Sequence, residues 1–170
     1  VTGVDDNVSD DNQTSVLSVL SSSSDSKYNG LSDNLSVVTA DNDTVGFSLS
    51  QPTAVVSENG SVTDSISVVL TSEPTAAVTL SVTDNDTSEV SYSPSSLVFG
   101  SGNWSVFQVI TLTGLDDNVS DDNQTTLLTL SLSSSDSKYD NSSLSAQTVT
   151  VTTSDNDTVA VLISESSLSV

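Results

Sequence analysis

The chain has 170 residues, with 23 Asp or Glu against two Lys, no His and no Cys, for a formal charge of -21 at pH 7. That charge repels a phosphate backbone and excludes nucleic acid as a partner. The missing His and Cys exclude His-based triads, His-ligated zinc, thiolate metal sites and disulfides within the chain. Lys27 and Lys138 are the only cationic side chains, so salt bridges cannot neutralise the carboxylates. Metal cations, salt or hydration must do so. Apolar runs of only a few residues fall far short of the roughly 20 needed to span a bilayer, so this segment is expected to make no membrane contact. It opens at Val1 without the basic start and apolar middle of a secretory signal, and any such signal is expected to lie outside this piece.

Read from its first residues, the chain repeats itself. GVDDNVSDDNQTSVLSVLSSSSDSKY at 3–28 returns as GLDDNVSDDNQTTLLTLSLSSSDSKY at 114–139, and TADNDTV at 39–45 returns as TSDNDTV at 153–159. The offsets, 111 and then 114, place a three-residue length change in the loop after SDSKY. The spacing predicts a tandem array. In it, 1–44 is the C-terminal part of one repeat, 45–158 a complete repeat, and 159–170 the first strand of the next. VTG at the start matches LTG at 112–114, and VLISESSLSV at the end matches FSLSQPTAVV from Phe47, so the natural protein is expected to continue both ways.

Through the complete unit the apolar residues alternate with Ser and Thr. A short run at 45–50 is followed by Val62, Ile66, Val68 and Leu70, then by Val78, Leu80 and Val82. Runs at 90–93 and 97–100 precede Trp104, Val106, Ile110 and Leu112; Leu128, Leu130 and Leu132 come next, and a last run covers 144–152. Seven or eight strands in this length, separated by Asp, Asn, Ser, Gly and Pro clusters, predict an all-β, immunoglobulin-like antiparallel β-sandwich. Phe47, Phe99, Trp104 and Phe107 are read as core or near-core, with carbohydrate stacking by Trp104 as a lesser alternative.

Acidic elements recur at strand ends: SENG around Glu58, TDNDT around Asp84 and Asp86, LDDNVSDDNQT from Asp116 to Asp122, and SDNDT around Asp155 and Asp157. Loops far apart in sequence gather at the poles of a sandwich, where carboxylates and carbonyls can supply the roughly six to eight oxygens that Ca²⁺ takes. The alternative is that these are solvated, turn-forming Asp and Asn residues.

A VSENG-like turn, an apolar strand ending in GLDDN with further acids just after, and a closing TSDNDT together resemble the Calx-β domain family, across 45–158 and both flanking fragments. The resemblance implies an immunoglobulin-like fold with calcium at one pole. It places Glu58 on the family's early Glu, Asp84 or Asp86 on a mid-domain acid, and Asp116 and Asp117 on its acidic pair. Asp121 and Asp122 fall on the following acids, and Asp155 and Asp157 on the terminal cluster. In the flanks the corresponding residues are Asp5, Asp6, Asp10, Asp11, Asp41, Asp43 and Glu165. Asn118, Asn123 and Asn156 depart from the pattern where the family carries acids, which bears on ion number and affinity.

Eleven of the twelve Asn stand in Asn-x-Ser/Thr without proline: Asn7, Asn12, Asn34, Asn42, Asn59, Asn85, Asn103, Asn118, Asn123, Asn141 and Asn156. With 60 Ser or Thr among 170 residues, chance would satisfy about four of twelve. The excess predicts an N-glycosylated extracellular or cell-surface protein; the alternative is that these are turn words in a Ser/Thr-rich chain. Asn118, Asn123 and Asn156 lie in the loops assigned to calcium, so glycans there must point outward.

The function expected is therefore a structural repeat of an extracellular, N-glycosylated, calcium-stiffened surface filament, stalk or fibre. Its partners would be neighbouring repeats, with self-association into a filament or bundle. The alternative is a repeat of a calcium-dependent adhesin that itself binds carbohydrate or another surface through threonine-rich faces such as Thr125, Thr129, Thr148, Thr150 and Thr152. An enzyme is not expected. Asp116 and Asp117 are adjacent, and neighbours on an extended chain point to opposite sides, which does not make an acid–base pair.

Overall fold

The computed structural model describes residues 1–140 and 144–162; Asn141 and Glu165, two of the candidate site residues, lie outside them. The described residues form eleven strands: β1 (Gln13–Leu20), β2 (Ser32–Thr39), β3 (Phe47–Leu49), β4 (Thr53–Ser57), β5 (Thr63–Leu70), β6 (Val78–Asp84), β7 (Val90–Ser93), β8 (Ser96–Phe99), β9 (Gln108–Gly114), β10 (Gln124–Ser134) and β11 (Gln147–Ser154). Strands β3 to β11 build a sandwich of two sheets, ordered β4-β11-β10-β6-β8 and β3-β5-β9-β7, while β1 and β2 pair separately. The protein is an all-β, immunoglobulin-like sandwich. Among the described residues, no helix is long and apolar enough to cross a membrane.

Alternation produces the core. Ile66 and Val68 on β5, Val78 and Leu80 on β6, Ile110 and Leu112 on β9, Leu128 and Leu130 on β10, and Val149 and Val151 on β11 are all fully buried between the sheets. A strand's side chains point to alternate faces, so the intervening Ser and Thr are left outward. On the outer face Thr125 lies opposite Thr152 and Thr129 opposite Thr148, with Thr83 beyond Thr129 on β6.

Nine strands form where seven or eight are expected, because the chain runs on past the stretch at 45–50 into β4, which the alternation does not mark, and changes sheets at Pro52. Pro52 has no N–H to give to a ladder. β3 before it pairs antiparallel with β5, and β4 after it pairs with β11. That second pairing is parallel, the single departure among the described residues from the antiparallel arrangement expected. Pro94, preceded by a cis peptide bond, likewise separates β7 on one sheet from β8 on the other.

The aromatic expectation divides. Phe47 and Phe99 are in the core and Trp104 packs partly buried against it, but Phe107 is 63% exposed. The reason is a turn at Gly100, whose carbonyl accepts the N–H groups of Asn103 and Trp104. This turn delays β9 to Gln108, so Val106 is exposed too, as is Val62 in the approach to β5. At the C-terminal end, β11 starts at Gln147 and not at Leu144. Residues 159–162 carry no strand, and 163–170 of the strand expected there lie outside the described residues.

The two copies fold alike. Gln13 faces Thr39 in the first hairpin as Gln124 faces Thr153 in the second, the register that the offsets of 111 and 114 require. Leu128 and Leu130, covered by the opposite sheet, are fully buried, whereas their counterparts Leu17 and Val19 are 40% and 64% exposed.

Candidate metal centre

One pole of the sandwich is acidic because four chain segments end there: the turn after β4, the β6–β7 link, the β9–β10 loop and the segment leaving β11. The last two are laced together. Asp122 N–H donates to Asp155 Oδ2 at 3.0 Å, Asp155 N–H to Asn123 Oδ1 at 3.2 Å, and Ser120 Oγ to the Asp157 carbonyl at 3.3 Å. Asp157 N–H donates to Asp155 Oδ1 at 2.6 Å, and Gln124 Nε2 closes the loop on the Asp121 carbonyl at 2.7 Å. Every one of these bonds has a twin in the first copy, through Asp11 and Asp41, Asp41 and Asn12, Ser9 and Asp43, Asp43 and Asp41, and Gln13 and Asp10. The loop pair is thus built by local sequence, whatever stands beside it.

Glu58 arrives from the other side. The turn after β4 closes with Gly60 N–H on the Ser57 carbonyl, and Glu58 N–H donates to the Ser154 carbonyl of β11 at 3.2 Å. Gly60 takes a φ of 67°, which glycine adopts without a Cβ penalty. Gly114, at the end of β9, lies so close to this turn that an added Cβ would stand 2.4 Å from the Ser57 carbonyl oxygen. Its bare backbone lets Glu58 reach the pole.

Glu58, Asp155 and Asp157 each present a carboxylate oxygen within 4.8 Å of the others. Two oxygens on one Ca²⁺, each at about 2.3–2.6 Å, lie no more than about 5 Å apart, so one ion fits the trio. Glu58 is 3% exposed and its Oε2 accepts only a long bond, 3.3 Å, from Asn156 N–H. Burial pushes its carboxyl above the ordinary range, and the charges of Asp155, Asp117 and Asp121 push further. Asp157 is raised likewise, by burial first and then by Asp155, Asp116, Asp117 and Asp121. Its Oδ2 is buried with no hydrogen-bond partner among the described residues, and so is Thr126 Oγ1. Buried polar atoms are nearly always paired. The orphaned Asp157 oxygen, inside a set of hard oxygen donors, fits a hard cation.

The other sequence-derived candidates divide. Asp116 Oδ1 accepts Asn156 Nδ2 at 3.1 Å and Asp117 Oδ1 accepts Val119 N–H at 2.6 Å, so both shape the loop while their charge, with that of Asp121, reaches the trio. Asp122 is exposed. Asp86 is spent on a local turn, where Ser88 Oγ and N–H bind it and hold its carboxyl below the ordinary range. Asp84 stands beside Tyr92. Neither Asp84 nor Asp86 joins the trio. Among the described residues the first copy closes no comparable group, although burial and the charges of Asp41, Asp5, Asp6 and Asp10 raise Asp43.

Glu89 is the residue the sequence reading passed over. It is 7% exposed, and burial first, then Asp121, Asp86 and Glu58, raises its carboxyl. Its backbone carbonyl takes Leu115 N–H and Thr153 Oγ1, pinning it beneath the pole. An acid immediately before the buried Val90, at the start of a strand aimed away from the pole, was the available signal.

No family model matches the chain, and no curated protein matches it. Among solved structures it is similar to the apo form of the Calx CBD1 domain, at 16% identity and a TM-score of 0.45, over 66% of this chain and 98% of that one. It is similar also to domains 4 and 5 of the S-layer protein SbsC, at 17% identity and a TM-score of 0.47, over 84% and 58%. A third is WR4, an MSP family member of C. elegans, at 10% identity and a TM-score of 0.42, over 64% and 95%.

All ten described sequon asparagines are exposed. Asn123 and Asn12 engage the loop pair only through their carbonyl oxygens, which leaves their amide nitrogens uncommitted in these bonds.

Proposed function

We propose that this chain is a structural repeat of an extracellular, N-glycosylated surface filament or stalk, in which calcium at the acidic pole stiffens the passage from one repeat to the next. The single observation carrying it is the trio of Glu58, Asp155 and Asp157 around the orphaned Asp157 oxygen. Two of the three lie on the segment that leaves β11, so an ion held there ties the outgoing chain to the body of its own sandwich. The bound cation would supply the positive charge that the side chains lack. The protein contributes the fixed oxygens: Glu58 from the turn after β4, Asp155 and Asp157 from the laced loops, with Glu89 beneath and Asp121 and Asp117 adding negative potential. Glycans on the exposed sequons would coat the outward loops.

Calcium titration of the full chain, followed by melting temperature, tests this. Free calcium at about a hundred times Kd is expected to stabilise the fold by about 2.7 kcal/mol, and Glu58→Gln is expected to remove most of that gain while leaving the metal-free melting temperature unchanged or higher. A melting temperature indifferent to calcium in the unmutated chain would overturn the proposal. Intact mass of native material before and after glycosidase treatment tests the glycan half.

A further inference from the structure

Each copy carries one lysine, and it stands at the same place: Lys27 and Lys138, 111 residues apart, inside identical SDSKY loops. In the sandwich this loop is fixed at the pole opposite the acidic one, because β10 spans about 35 Å between them. Asp136 Oδ2 accepts Thr75 N–H at 2.8 Å, and its Oδ1 accepts the N–H of Lys138 at 2.9 Å. Tyr139, 1% exposed, donates its hydroxyl proton to the Ser72 carbonyl at 2.7 Å and accepts Ser72 N–H at 3.0 Å. Lys138 therefore projects from an anchored base. Its Nζ meets Asp11 Oδ2 of the preceding copy's acidic loop at 2.8 Å. Beside it, Glu73 N–H donates to the Asn7 carbonyl at 2.6 Å, and a cavity of about 250 Å³ lies between the two surfaces.

We propose that this contact is a head-to-tail joint between successive repeats, in which the single lysine of each SDSKY loop docks on the second aspartate of the preceding repeat's SDDN loop. The complete repeat carries the receptor as well. Asp122, the copy of Asp11, has the same left-handed φ of 64° and the same bond from its N–H to the terminal cluster, and it is exposed. Joint and socket sit on opposite poles and do not match themselves, so the contact is heterologous and extends linearly. A half-exposed ion pair adds little affinity. Its effect is selection, since Asp10, Asp11 and Asp41 repel every acidic surface and admit the one face that offers a cation. Asp11 and Asp122 thus belong to the joint and not to the metal set.

The inference rests on the tandem reading above but not on calcium, so its test is run on the full chain in chelator, where failure of metal binding has no bearing. Hydrogen exchange at Glu73 N–H reports the joint, and Ser72 N–H, held by Tyr139, reports the sandwich. Lys138→Glu is expected to speed exchange at Glu73 by about tenfold or more while Ser72 stays protected. Adding Asp11→Lys to that variant, which swaps the charges, is expected to restore it. Should Lys138→Glu release Ser72 as well, Lys138→Gln carries the same comparison. Unchanged Glu73 exchange in the single variant, or no recovery in the swap, overturns the joint.

Discussion

Glu58, Glu89 and Asp157 are acids whose ionisation the folded state resists. A carboxyl raised in the fold keeps its proton to higher pH than in the unfolded chain, so stability falls as pH climbs from the ordinary carboxylate range through the raised one. Asp136 works the other way. Burial pushes it up, but the N–H groups of Thr75, Lys138 and Tyr139 outweigh that and hold it low, so its contribution is lost as pH falls through its lowered value. The metal-free protein is accordingly expected to melt higher near about pH 5 than near about pH 8, with a decline again in stronger acid. Under the proposed calcium binding, saturating calcium would hold Glu58 and Asp157 ionised and flatten the alkaline side. Melting curves across pH in chelator and in calcium check both statements, and a metal-free protein that is most stable at pH 8 would contradict them. Glu58, Asp155 and Asp157 were legible in the sequence because acids cluster at strand ends. Glu89 was not, since its role depends on burial, and burial depends on which loops converge.

The loop joining β10 to β11 shows how a short motif fixes an element. SDSKY reads as a polar turn, yet Tyr139 is among the largest fully buried side chains, with its hydroxyl serving Ser72 on the far sheet's connection. Removing that hydroxyl in Tyr139→Phe leaves Ser72 N–H buried without its acceptor, and is expected to cost about 1–3 kcal/mol in denaturant unfolding. A loss below a few tenths would mean the loop is not anchored there. Strands were read well wherever alternation was clean, as at β5, β6, β10 and β11. The reading failed where the chain crosses between sheets at Pro52, so that β4 went unmarked, and where the turn at Gly100 moved Phe107 outward. Those outcomes turn on tertiary pairing and on a local hydrogen-bond pattern, neither of which hydrophobic period encodes.

Repetition made the overall plan readable, because two offsets in the sequence fix two registers in the fold. What it did not disclose is that β4 and β11, the second and last strands of the sandwich, lie side by side and run the same way over five register pairs, from Thr53 opposite Thr150 to Ser57 opposite Ser154. Tension drawn through the chain enters at one pole and exits at the other, so it slides these strands past each other lengthwise. Their bonds are then strained together, in shear, and cannot be peeled singly. Pulling a single molecule by its ends is expected to give a higher rupture force than pulling crosswise through Val55→Cys and Thr152→Cys attachment points. Equal forces would refute that geometry. A filament of such units would answer a tug as a tether does, rigid up to a threshold and then lengthening by whole modules.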